Sequence, residues 1–386
     1  MIPQPESGRK LAANMKVLVV SAINFSEGGP LTILRESLRS ASKILSSEWR
    51  IIALVHDGLL ISDPRIETLA FPNSKTSWIL RLWLEWWHFR RLSQKLQPTL
   101  WLSLHDLTPW VHAQRQAVYC HNPAPFHSPS LIDGILEPKL ILFRLFYGYV
   151  YRAFIHRNFA VIVQQNWMRE LFIKKFKTPN VIVSYPNQRD CFNKVLGVNS
   201  SSNKLSGPRD RKITFLYPAL PRVFKNFEVL CEAMQLVSDG ARKKIEVHIT
   251  VSGSENLYSK FIFNKYKLVD GIKFIGRQST EQMEKYYERS DVVVFPSRIE
   301  TWGLPISEAK AFRKPLLVAD LPYAHETVGK YDAAYFLPPD SPKAWALVFE
   351  RLAAGEVVFE TQSFDPPSQP FASDWSELWA ILIHGL

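Results

Sequence analysis

The sequence predicts an α/β protein of two doubly wound lobes, and three observations carry that prediction. The chain has 386 residues, beyond the ~250–300 at which a single hydrophobic core usually stops growing. From Lys16 it passes through a short apolar run, a glycine turn and a helical pattern, the start of a strand–loop–helix series. After a polar stretch the same alternation begins again, as expected of a second parallel sheet wrapped by helices.

Residues 1–14 (MIPQPESGRKLAAN) hold neither an apolar run nor a motif and read as a disordered extension ahead of Met15. The first lobe is assigned to 15–190: KVLVVS at 16–21 reads as a strand, Gly28, Gly29 and Pro30 as a turn, and 31–45 as a helix, with further strands at 51–55 and 117–119. Residues 191–211, rich in Ser, Asn, Gly and Pro, have little to bury and read as a linker. The second lobe, 212–365, carries apolar runs at 213–217, 245–251, 272–275, 292–295, 316–319 and 334–337. The tail, 366–386, ends in an amphipathic helix with Trp375, Leu378, Trp379 and Leu382 at helical spacing behind Asp374 and Glu377.

Composition narrows the function. With 46% hydrophobic and 22% charged residues the chain is globular rather than disordered. A net charge of +11 and a pI near 9.4 attract anions, whether nucleic acid, acidic lipid or phosphorylated small molecules. Cys120, Cys191 and Cys231 form no CxxC pair, so neither a disulfide framework nor a zinc site is expected, and a reducing cytoplasm is. No leader sequence is read at the start, and no run approaches the ~20 apolar residues that span a bilayer.

The most informative stretch is FPSRIETWGLPISEAKAF at 295–312, in which seven residues separate Glu300 from Glu308. Pro305 is expected at the first helical position. The backbone N–H groups around Trp302, Gly303 and Leu304, with the positive end of the helix dipole, then suit a diphosphate, and Gly303 lets the backbone come close. Glu308, expected in the first turn, can accept hydrogen bonds from vicinal ribose hydroxyls, while Glu300 lies on the loop beside the sugar. The same two carboxylates also suit a solvated helix N-terminus on dipole grounds alone.

This string resembles the E-x7-E signature of the family-4 retaining glycosyltransferases (glycosyl transferases group 1): a strand, Pro-Ser, Glu, an aromatic-Gly-Leu-Pro turn, then Glu. The likeness extends over most of 15–386, through the paired lobes, the glycine loop and Asp374-Trp375. It implies the GT-B fold, two Rossmann-like lobes facing across a cleft with the C-terminal helix returning to the first, and transfer with retention. It implies no cofactor and no metal, the nucleotide-sugar donor being a substrate; the chain has no Asp-x-Asp motif. It also implies roles. Arg222 and Lys225, in YPALPRVFKN, contact the donor phosphates; His121, after AVYC, is a cleft histidine at a strand mouth; Gly28 and Gly29 form the glycine loop; Arg277, after Gly276, contacts the base. The catalytic set is then His121, Glu300 and Lys225, and the donor set Arg222, Lys225, Arg277, Glu300, Trp302, Gly303, Leu304 and Glu308.

Segments 78–95 and 139–157 interleave Trp, Tyr and Phe with Arg and Lys. That chemistry suits an anionic bilayer surface, and equally a helix packed on the sheet with snorkelling arginines. The expected protein moves a hexosyl-type sugar from a nucleotide sugar to a glycan or lipid-linked acceptor, in surface polysaccharide or glycolipid biosynthesis. It would work in the cytoplasm, peripherally on the inner face of the cell membrane. Two alternatives compete: a sugar-nucleotide epimerase of the same fold, lacking identifiable acid and base groups, and a basic nucleic-acid-binding protein. No nucleic-acid motif accompanies the charge, so nucleic acid is not an expected partner.

Overall fold

The computed structural model describes residues 15–26, 28–126, 131–186 and 211–385. The extension 1–14 and all of the 191–211 linker except Arg211, Cys191 included, lie outside them. The chain forms two compact units, one from Met1–Asn122, Leu145–Asn187 and Pro367–Leu386, the other from Pro123–Arg144 and Gln188–Pro366. Residues 123–144, placed in the first lobe on sequence, thus group with the second unit. Part of the physical reason is Glu137, whose carboxylate accepts the Val223 N–H at 3.0 Å and lies 2.9 Å from Arg222.

In the first unit the strands are β1 (Lys16–Ala22), β2 (Trp49–Val55), β3 (Ile66–Ala70), β4 (Leu100–Ser103), β5 (Arg115–Cys120), β6 (Ala160–Val163) and β7 (Val181–Ser184), joined by β15 (Phe371–Ala372) near the end of the chain. They pair in the order β15-β7-β6-β5-β4-β1-β2-β3, every pairing parallel. Both faces are covered, which is why the runs are apolar without polar alternation. Leu18, Val20 and Ala22 point into one core with Leu34, Leu38 and Ala41 of the Gly28–Ile44 helix; Val17 and Val19 point into the other with Leu84, Phe89 and Leu92. That helix starts at Gly28, three residues ahead of the sequence expectation, and Gly28 takes a left-handed φ of +67°.

The terminal helix, Trp375–His384, packs into the first of these cores through Trp375, Leu378, Trp379 and Leu382. Its N-cap Asp374 accepts from the Ser376 and Glu377 N–H groups, and its carbonyls Leu382 and Ile383 are bonded by Arg115. The Trp379 indole donates to the Ser37 carbonyl at 3.1 Å.

The second unit holds β8 (Ile213–Tyr217), β9 (Ile245–Ile249), β10 (Ile272–Phe274), β11 (Val292–Phe295), β12 (Leu316–Ala319), β13 (Tyr331–Leu337) and β14 (Glu360–Gln362). Their order is β10-β9-β8-β11-β12-β13-β14, parallel except for the β13–β14 pair. Strand order reverses between β8 and β11, so the loops leaving the carboxyl ends of these two strands lie at a topological switch point, where doubly wound sheets take their ligands.

The aromatic segment departs from a single continuous helix. Helices Trp78–Trp83 and Phe89–Leu96 flank a π-helical turn at Leu84–His88, in which the Phe89 N–H reaches the Leu84 carbonyl. The wide turn admits an extra residue and changes which side chains face outward. Trp83 and Trp87 are exposed, whereas Trp86 packs edge-on against Phe154 at 5.5 Å. No helix among the described residues is long and apolar enough to cross a membrane.

Candidate active site

The switch point of the second sheet gathers Lys225, Glu300, Trp302, Gly303, Leu304 and Glu308 among the residues that the sequence singles out. After β8 the chain makes a one-turn 3-10 helix, Val223–Lys225, and leaves it through Asn226 in a left-handed conformation, φ +57°. Asn226 is fully buried, and its amide donates to the Pro296 and Pro339 carbonyls at 3.2 and 2.7 Å. This clamps the β8 loop onto the β11 loop. Two phenols brace the same loops: Tyr217 donates to the Lys225 carbonyl and Tyr323 to the Ser297 carbonyl, each at 2.6 Å. Burial, with the Glu300 charge adding to it, pushes both phenols well above their ordinary range, so they remain donors.

Held this way, Lys225 and Glu300 meet, the ammonium donating to Oε1, which also accepts from the Ser297 hydroxyl at 2.7 Å. The two side chains are only 14% and 12% exposed. The Lys225 ammonium also lies 5.3 Å from the centre of the Phe295 ring. Arg222, 55% exposed, is held by Glu137 instead.

Beyond Glu300 the backbone turns through Gly303, φ +86°, into the helix Leu304–Ala311. A Cβ on Gly303 would lie 3.3 Å from both Ile306 Cδ1 and Phe295 Cε1, so the position requires glycine in conformation and in space. Two details differ from the sequence expectation. Leu304 is the first helical residue and Pro305 the second, and Glu308, fifth in the helix, lies beyond the first turn. The cause is a start one residue earlier, set by the left-handed N-cap rather than by proline. Glu308 is half-buried, and its Oε2 accepts from the Tyr287 hydroxyl at 2.6 Å.

Trp302 contributes backbone rather than an exposed ring. Its side chain is buried, the indole donates to Ser307 at 2.9 Å, and its carbonyl accepts from Thr327. Arg277 is exposed after Gly276, whose N–H is bonded to the Val251 carbonyl. Thus Lys225, Glu300, Trp302, Gly303, Leu304 and Glu308 lie along two adjoining loops and one helix, with Arg222 at the edge and Arg277 on the loop after β10.

In the first unit His121 follows β5, its side chain 16% exposed and its Nδ1 buried with no hydrogen-bond partner among the described residues. Its ring meets Phe25 edge-on at 5.4 Å. Sequence reasoning passed over its support, Asp106. That carboxylate accepts from the His121 and Asn122 N–H groups at 2.7 and 3.2 Å and from Tyr147 and Tyr151 at 3.1 and 3.0 Å. Gly28 and Gly29 belong to the helix that follows β1, in this same unit. Among the described residues no group of three or more His, Cys, Asp and Glu side chains is arranged to hold a metal ion.

Comparison with known proteins agrees with this architecture. Over 86 residues the chain is 32% identical to the O-antigen chain mannosyltransferase RfbU of Salmonella typhimurium; the alignment spans 22% of this chain and only 24% of that protein. Among solved structures, sucrose-phosphate synthase from Thermosynechococcus elongatus superposes with a TM-score of 0.59 at 15% identity, covering 88% of this chain and 90% of its own. A glycosyltransferase from Rickettsia africae gives 0.58 at 16%, covering 88% and 89%. At these identities the likeness is one of fold. The chain has the two-sheet GT-B fold of these glycosyltransferases, and its residues 199–362, within the second unit, match the family described as Glycosyl transferases group 1.

Proposed function

We propose that the chain is a metal-independent, retaining glycosyltransferase that moves a hexosyl-type sugar from a nucleotide-sugar donor to a glycan or lipid-linked acceptor. The observation that carries this reading is the assembly of Lys225, Glu300, the Gly303 turn and Glu308 at the switch point of the second sheet. The mannosyl transfer named for its Salmonella relative supports a hexosyl donor and a role in surface polysaccharide or glycolipid biosynthesis.

In the proposed reaction the bond from the anomeric carbon to the β-phosphate oxygen breaks and its electron pair stays on the phosphate. The acceptor oxygen bonds to the same face of the sugar, and its proton passes to the departing phosphate. Negative charge therefore grows on the diphosphate, and a cation already fixed beside it stabilises the transition state. Lys225 supplies that cation and Arg222 a second. Glu300 orients Lys225 and lies beside the sugar; Glu308 receives the ribose hydroxyls; the Gly303 turn faces the diphosphate with the Trp302–Leu304 backbone. His121, whose backbone N–H is held by Asp106, is assigned to the transferred sugar, and Gly28 and Gly29 to the donor or acceptor. Arg277 reads the base.

The deciding experiment is a nucleotide-sugar screen by thermal shift, with product analysis by NMR, in chelator and with added Mg2+ or Mn2+. Selective stabilisation, an α-configured product from an α-configured donor and activity unaffected by chelator are expected. In the folded Glu308→Ala variant, loss of two hydrogen bonds to a charged acceptor, ~1.5–3 kcal/mol each, should abolish stabilisation at the same donor concentration. Stabilisation by nucleic acid alone, lost at higher salt, would overturn the enzyme reading. We propose in addition that the chain attaches peripherally to anionic membrane on its cytoplasmic side, supported by exposed Ile79, Trp83 and Trp87 beside Arg90 and Arg91.

A further inference from the structure

We propose that Tyr287 is a positioning residue for nucleotide recognition, holding the Glu308 carboxylate in the orientation that receives the ribose hydroxyls; this rests on the ribose reading of Glu308. Tyr287 lies on the helix Thr280–Arg289, in a sequence, TEQMEKYYER, that is polar almost throughout. Its side chain is nonetheless 2% exposed. The ring stacks on Phe312 at 5.2 Å with the planes 9° apart, so it cannot swing without opening that contact. Phe312 is itself tied to the acidic residue, its N–H donating to the Glu308 carbonyl at 3.0 Å. The phenol is therefore fixed at both ends of one helical turn, and its hydroxyl donates to Glu308 Oε2 at 2.6 Å.

A glutamate has three rotatable side-chain bonds, and confining them when a ligand arrives costs free energy that otherwise weakens binding. A fixed phenol meets that cost during folding. It also takes up one direction at Oε2 and so sets the plane in which the carboxylate meets two vicinal hydroxyls. The carboxylate is thus aimed before the nucleotide arrives.

The test is Tyr287→Phe, which keeps the ring and the stack and removes only the donor. UDP, GDP and ADP, and the 2′-deoxy counterpart of each, are titrated calorimetrically into the full chain and into Tyr287→Phe and Glu308→Ala. For the diphosphate that binds best, Tyr287→Phe should weaken the ribonucleotide by about 3- to 10-fold and the deoxynucleotide much less. The wild-type preference for ribose should shrink in Tyr287→Phe and vanish in Glu308→Ala. Both ligands are read on the same folded molecules, so a modest loss of stability leaves the ratio interpretable. Equal weakening of ribo- and deoxynucleotide, or none, in Tyr287→Phe while Glu308→Ala loses the preference overturns the positioning role alone. An unchanged preference in Glu308→Ala, or a wild-type chain that binds none of the three, overturns the ribose reading and the proposal with it.

Discussion

The Lys225–Glu300 pair invites a double-mutant cycle, Lys225→Met, Glu300→Gln and both together, run with and without nucleoside diphosphate. Both side chains are about six-sevenths removed from water. Exposed ion pairs contribute about 0.2–1 kcal/mol, whereas removing one partner of a fully buried pair costs about 3–5 kcal/mol. Residual exposure, and the Ser297 hydroxyl that still serves Glu300, place each single variant at about 2–3 kcal/mol. For a unit of this size each kcal/mol lowers Tm by about 2–4 °C, so a drop of about 4–12 °C is expected. The double variant should lose less than the sum, because neither charge is then stranded. Saturating diphosphate should shrink the coupling, since phosphate then shares the ammonium. Calorimetric melting of the four proteins supplies every number required. Additive losses without ligand would refute the pairing, and coupling indifferent to diphosphate would refute the phosphate role of Lys225.

Three further outcomes are expected. Gly303→Ala must hold an alanine at φ +86°, at ~1–2 kcal/mol, and crowd Ile306 and Phe295, so denaturant unfolding should shift to lower concentration and diphosphate affinity should fall; unchanged stability would contradict the geometry. Burial lowers the Lys310 ammonium from 10.5 to about 8, so between these values the unfolded chain holds a proton that the folded one has lost. Unfolding free energy should therefore rise from pH 8 to 9.5, with a slope of at most about 1.4 kcal/mol per unit, more steeply than in Lys310→Met; superimposable profiles would refute it. Replacing Trp83, Trp87, Arg90 and Arg91 together by Ser or Gln should reduce co-sedimentation with anionic liposomes while preserving melting and donor binding, and undiminished sedimentation would count against this surface.

What the sequence conveyed and what it withheld follow from the range of each interaction. Strands β8, β11 and β12 are legible to the residue because each is a short apolar run buried on both faces. Gly303 and the two glutamates are legible because loop, turn and helix are contiguous in the chain. The pairing of Lys225 with Glu300 spans 75 residues and depends on β8 lying beside β11, which no local pattern encodes. Tyr287 and its neighbour Tyr286 look alike in sequence, and only the packing of their helix buries the first more deeply. Asp106 is similarly hidden, its four hydrogen-bond donors lying 15 to 45 residues downstream. The π-helical turn at 84–88 changes which tryptophans face outward, because a wide turn breaks the 3.6-residue period on which that inference rests.

The return of the chain end to the first sheet has a consequence for how the protein is made. Strand β15 adds to β7 at the sheet edge, and Trp375, Leu378, Trp379 and Leu382 complete a core begun by residues near position 18. On the ribosome an N-terminal domain ordinarily folds before its successor emerges. Here the second unit has its whole sheet in hand once Gln362 is out, while the first still lacks a strand and a helix. The unit translated first is therefore the last to close, and a chain arrested short of Phe371 leaves Tyr119, Ser37 and Arg115 without the stacked indole, the indole donor and the carbonyls they meet in the finished fold.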